Sequence, residues 1–217
     1  MLLADLRNDV LNAALALKRY GLVWMAGGTI CARDPESGRV VVTPSGLPYE
    51  DLRPTDMIVV DLDCNVIEGS YRPSVATNLW TTIIRTRPEI HAVVHSHSPY
   101  ATAFSVVNKP IPIITETMAN WFGQPIQIAP YAHLEDDHFV TAPVEALGDG
   151  FAIMLGQHGV ITVGRNLHHA LERAVTLEEG AKTYAISCDL GDPLEFTSEQ
   201  ARRSFDYYHN RYGQLKE

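Results

Sequence analysis

The chain has 217 residues, 46% hydrophobic and 20% charged, which is enough for one domain that buries roughly 70% of its unfolded surface. Seventeen basic against 26 acidic residues leave a net charge of −9 with no basic tract, so neither a nucleic-acid backbone nor an anionic membrane is an expected partner. Cys31, Cys64 and Cys188 are scattered without C-x-x-C spacing, and no apolar run is long enough to span a bilayer, which makes a reducing, cytoplasmic setting the expectation.

Residues 2–20 place Leu3, Leu6, Val10, Leu11, Ala14, Leu15 and Leu17 at helical spacing, and Gly21 supplies a stop. Short β-like runs follow around Ile30 to Arg33, Val40 to Thr43 and Met57 to Asp61, separated by Gly, Pro, Asp and Asn turn signals. Residues 74–87 read as a helix, and Ala92-Val93-Val94 as a strand that ends in His95-Ser96-His97. Ser98 and Pro99 form an N-cap and first-turn pair for a helix through Val107. Two strand-like runs, Phe151 to Leu155 and Val160 to Val163, flank Gly156-Gln157-His158-Gly159. Leu167 to Cys188 is the longest helical pattern, and a last helix begins near Thr197. With no repeat and no composition break, residues 1–217 read as one α/β domain with a largely antiparallel central sheet.

Residues two apart on a strand project to one face, so His95 and His97 converge while Ser96 points away. His158 sits on a turn. A tetrahedral catalytic metal takes three protein ligands and keeps one position open, so these histidines suffice for a Lewis-acid site, although each also admits a purely structural reading. His168-His169 opens a helical pattern and reads as surface.

Five pieces occur in the order seen in the class II aldolase/adducin family. They are residues 26–33 (AGGTICAR), residues 43–46 (TPSG), Glu68-Gly69 before Arg72-Pro73-Ser74, residues 94–102 (VHSHSPYAT), and His158-Gly159 before Gly164. The chain resembles that family, and most of all its fuculose-phosphate aldolase branch. The resemblance implies an α/β/α sandwich around a mainly antiparallel sheet, and a homotetramer with active sites between subunits. It places His95, His97 and His158 on the metal ligands, one divalent metal per subunit, zinc first with manganese or cobalt as alternatives. It maps a substrate phosphate site onto Gly28, Thr29, Ser45, Gly46, Ser74 and Val75. Tyr131 falls on a tyrosine that donates a proton across the subunit interface, with Tyr207, Tyr208 or Tyr212 near the same neighbouring metal.

The chain departs from the family pattern at four positions of one pocket. Where the aldolases carry a catalytic glutamate this chain has Ala76, in Pro73-Ser74-Val75-Ala76, and Ala26, Thr29 and Val75 also replace the residues usual there. The epimerase branch fits less well still, because its two catalytic aspartates fall on Ala76 and Asn120. Glu116, between Ile113-Ile114 and Met118-Ala119, is the candidate replacement acid, with a raised pKa expected if it is buried. Asn120 and Trp121 are further candidate substrate contacts.

The resemblance implies a metal-dependent carbon–carbon lyase that cleaves a ketose or ketose phosphate through a metal-stabilised enediolate. A decarboxylase of a hydroxy, keto or aromatic hydroxy acid is the alternative that needs no base at position 76. A non-catalytic adducin-like scaffold is a third reading, set against the retention of all three histidines.

Overall fold

The structure, a computed structural model, describes residues 1–213. Its centre is an eight-stranded sheet made from β1 (Thr29–Arg33), β2 (Val40–Val42), β3 (Ile58–Val60), β4 (Val66–Glu68), β5 (Ala92–Ser96), β6 (Gln127–Ala129), β7 (Ala152–Leu155) and β8 (Gly159–Gly164). The spatial order is β4-β3-β2-β1-β5-β8-β7-β6, antiparallel throughout except for the β6–β7 pair. The inner strands are rich in Val and Ile and buried along their whole length, as expected of a sheet covered on both faces.

Alternation along the strands divides the core. Cys31, Val93, Ile161 and Val163 face one layer, formed by α2 (Thr77–Thr86) and α5 (Thr141–Leu147). Ile30, Ala32, Ala92 and Val94 face the other, where α1 (Ala4–Arg19) and α6 (Leu167–Leu190) pack through Val10, Leu17, Ala170 and Ala174. On that second side the core continues over β7 and β8 beneath α3 (Pro99–Val106), α4 (Glu116–Phe122) and α7 (Ser198–Arg211). The result is the α/β/α sandwich with a mainly antiparallel sheet that the sequence leads one to expect. Among the described residues no helix is long and apolar enough to cross a membrane.

Two local expectations are corrected. Ser98 precedes α3, but its side chain makes no capping bond. The carboxylate of Glu178, on α6, takes that role by accepting from the Tyr100 and Ala101 amides at 2.9 and 3.0 Å. Glu178 is buried, and burial raises its pKa against the opposing pull of those two amides. The second concerns Glu116, whose burial is the condition for a raised pKa: Thr115 accepts from the Met118 amide and starts α4, and Glu116 stands exposed on its first turn.

Candidate metal centre

β5 runs through the middle of the sheet between β1 and β8, so its C-terminal end is braced on both sides. His95 pairs across to Thr29 and Ile161, and its side chain projects toward α2, where Trp80 stacks on it with ring centroids 5.4 Å apart. His97 lies just past the strand end, held by its amide bond to the Leu22 carbonyl. His158 comes from the tight β7–β8 turn, where Gln157 adopts a left-handed backbone. The three rings stand edge-on to one another with centroids 4.9 to 5.0 Å apart.

The approach depends on Gly159, because a Cβ there would meet the Ser96 carbonyl at 2.5 Å and the His97 ring at 2.8 Å. On the other side Gly28 lets β1 pass under the loop, since a Cβ would lie 2.8 Å from the His95 carbonyl. Both glycines are therefore matters of close packing.

The donor set fits a divalent cation. His95 Nδ1 donates to the Val160 carbonyl at 2.9 Å, which leaves its Nε2 lone pair facing His97 Nε2 at 3.1 Å. Burial, reinforced by His158 and His97, pushes the pKa of His95 down to about 3. Burial and His158 take His97 to about 4, and burial lowers His158. All three imidazoles are neutral near pH 7, and their nitrogen atoms lie within 4.8 Å of one another. Lone pairs that face one another at this spacing are satisfied by a shared cation, reached from the side of the exposed His158. Among the described residues no other group of His, Cys, Asp and Glu side chains meets at this spacing.

The triad forms the floor of a cavity of about 220 Å³. Gly28, Thr29, Ser45, Gly46, Ser74 and Val75 all line it, together with Ala76. Its polar wall is partly spent on itself. Thr29 Oγ1 and Ser74 Oγ are 3.0 Å apart, the Ser45 amide donates to the Arg72 carbonyl, and the Ser74 amide donates to the Thr43 carbonyl. The Gly46 and Val75 amides have no acceptor among the described residues. Trp80, Leu79, Phe139 and Leu155 make the remaining wall apolar, and the lining contains no carboxylate, lysine or arginine. Sequence reasoning missed Trp80, Phe139 and Leu155. The one available signal was Trp80, one helical turn beyond Ala76 on the buried face of α2.

The other candidates lie elsewhere. Tyr131 is exposed beside the β7–β8 turn of its own chain, in a small recess that shares Leu79, Phe139, Leu155 and His158 with the cavity. Glu116 is exposed on the first turn of α4 and lines a separate depression with Ile114, Asn120 and Tyr207, so the burial on which a raised pKa depends is not found. Asn120 lies in that depression too, and Trp121 is a core residue, buried among α4, α6 and α7. Neither lines the cavity.

The fold and the three imidazoles define an α/β protein with a site suited to a divalent metal. The chain belongs to the class II aldolase and adducin family, whose N-terminal domain model matches residues 8–185. An L-ribulose-5-phosphate 4-epimerase, UlaF of Salmonella paratyphi C, is 35% identical over 200 residues, 87% of this chain and 88% of its own. The solved structure of an L-fuculose 1-phosphate aldolase superposes with a TM-score of 0.92 at 25% identity, covering 96% of this chain and 98% of that one. YgbL of Escherichia coli, described as a putative aldolase, epimerase or decarboxylase, gives a TM-score of 0.84 at 25% identity over 93% and 98% of the two chains. Aldolases of this class use a divalent metal, in keeping with the donor set found here.

Proposed function

We propose that the protein is a metal-dependent carbon–carbon lyase that cleaves a small hydroxylated carbonyl compound, a ketose or its phosphate, in the manner of an aldolase. The observation that carries this reading is the convergence of His95, His97 and His158 in the lining of one cavity. A divalent metal held there, zinc foremost, supplies a Lewis acid that polarises a carbonyl and offsets negative charge beside a breaking bond. The chain's own groups bind and orient: the Gly46 and Val75 amides and the Thr29–Ser74 hydroxyl pair hold the anionic or hydroxylated end, while Trp80 and Leu155 exclude water.

Proton transfer falls to Tyr131 and Glu116, presented at subunit interfaces of a homotetramer. Their exposure supports that assignment, since neither is committed to its own chain's core. Decarboxylation of a hydroxy or keto acid is the second reading. It is favoured by the absence of any carboxylate from the cavity lining, because loss of carbon dioxide needs no base to take a hydroxyl proton. Epimerisation, the reaction for which the Salmonella relative is named, would have to proceed with Ala76 and Asn120 where the resemblance places that branch's aspartates.

The test is incubation of metal-loaded protein with L-fuculose 1-phosphate, the free sugar, L-ribulose 5-phosphate and a panel of hydroxy-keto and aromatic hydroxy acids. Aldehyde, carbon dioxide and epimer are scored separately. Aldehyde release supports the lyase, carbon dioxide alone moves the assignment to the second reading, and epimer alone overturns both. In the active reaction Glu116→Gln lowers the rate more than about tenfold, while Ala76→Glu changes it little. An unchanged rate in Glu116→Gln removes that residue from the mechanism.

A further inference from the structure

At the end of β5 away from the triad, α1, the end of β1, the start of β5 and the start of α6 enclose a groove of about 620 Å³. It is lined by Arg19, Arg33 and Arg165, with His91 and His168, and Asp9 is its one carboxylate. This is an unusual concentration of positive charge for a chain of net charge −9. Outside the groove Arg7, Arg85, Arg87 and Arg202 are paired with Glu68, Asp63, Glu89 and Asp206, while Arg39, Arg53, Arg72, Arg173, Arg203 and Arg211 make no ion pair among the described residues, so what marks the groove is the clustering of three arginines in one concavity. Among the described residues none of the three groove arginines makes an ion pair, with Asp9 or with any other carboxylate.

Arg33 is the most constrained of them. It hydrogen-bonds the Pro88 carbonyl through Nη2, while its Nε is buried without a partner. Its field adds to burial in holding His91 below the ordinary imidazole range. Glu89 acts on Arg165 from beyond ion-pair distance, its own partner being Arg87. The start of the 24-residue α6 also borders the groove. Asn166 caps the His169 amide, and the first helical bond is that of Ala170 to the Asn166 carbonyl, so the Leu167 and His168 amides remain available. Leu6, Ala13, Ala16 and Leu171 give the groove an apolar side.

We propose that this groove is a second ligand site, separate from the metal centre, for a phosphate monoester carried on a small organic body. Guanidinium groups and helix-start amides are the donors that recognise a dianionic phosphate, and the volume lies within the range of small-molecule sites. The phosphate engages Arg19, Arg33 and Arg165, and the organic part lies along the α1 face. The proposal is independent of the reaction assigned to the triad and is tested on metal-free protein.

Phenyl phosphate and inorganic phosphate are titrated calorimetrically into the wild type, Arg19→Gln/Arg165→Gln, Arg33→Gln and Val75→Asp. The first pair of arginines is exposed and makes no hydrogen bond within the fold, so that variant keeps its melting midpoint even if Arg33→Gln does not. Val75→Asp places a negative charge in the wall of the metal cavity and so reports binding there. The expected result is one phenyl phosphate site per chain, weakened at least about tenfold in Arg19→Gln/Arg165→Gln and unchanged in Val75→Asp, with weaker binding of inorganic phosphate. Undiminished affinity in the double variant, loss of binding in Val75→Asp, or no binding to the wild type overturns the proposal.

Discussion

Two groups of histidines in this molecule are packed ring against ring and differ in what surrounds them. His95, His97 and His158 face one another across a cavity, and the forces that keep them neutral are burial and the neighbouring imidazoles alone. His169 and His209 lie between α4, α6 and α7 with centroids 6.5 Å apart, and the Trp121 ring packs at 5.7 Å from the first and 6.0 Å from the second. His209 is pushed down to about 4 by burial, then by Arg173, His169 and Arg165. The buried guanidinium of Arg173, bonded to the Trp121 and Val163 carbonyls, gives that cluster a resident positive charge that repels a metal ion. Neutral imidazoles are thus not enough for a metal site. Their lone pairs must share a space that holds neither a ring nor a cation.

The largest effect expected from this contrast is on metal content. His95→Ala combined with His97→Ala removes nearly all bound metal as measured by elemental mass spectrometry, whereas His169→Ala combined with His209→Ala leaves it intact. Equal retention in both double variants would erase the distinction.

Next comes the glycine that lets the rings meet. Gly159→Ala forces a methyl against the Ser96 carbonyl and the His97 ring, an overpacking of about 1–3 kcal/mol. The melting midpoint falls by several degrees and metal affinity falls with it. A fall in stability with no change in affinity would show that the ring spacing does not depend on this residue.

The smallest effect concerns acid. The folded pKa of His209, about 4, lies below its ordinary 6.5, so as pH falls the unfolded chain takes up the proton first. Its contribution to stability is complete above pH 6.5 and is lost as pH drops through 4. His209→Phe therefore flattens the decline of the melting midpoint between pH 6.5 and 4, relative to wild type, both metal-free. The ring is partly exposed, so solvent screening limits the difference to under about 1 kcal/mol, roughly 2–4 °C. Parallel curves for the two proteins would remove His209 from the acid response.

The same contrast explains what was legible in the sequence. Helix α1, strand β5 and the His158 turn follow from periodicity and turn chemistry, and the family resemblance supplied the sandwich and the cavity-lining residues. β4 and β6 are the two edge strands and are partly exposed, so unlike the equally short β2 and β3 they carry no continuous apolar run. Glu116, between two apolar pairs, could be read from the sequence either as buried or as exposed. The helix that Thr115 initiates turns it outward. Trp121 offered no local sign that its space would be shared with Arg173 and His209, because those partners arrive from distant helices.

The Glu178 carboxylate at the start of α3 has a consequence for biosynthesis. The segment leaving His97 is tied down by a residue 77 and 78 positions later in the chain, in place of the serine next to it. A nascent chain that has emerged only as far as β8 already carries all three histidines but lacks the anchor that fixes their exit path. Closing that long loop costs entropy before any contact repays it, so the exit path from His97 takes its final form only with α6 in place.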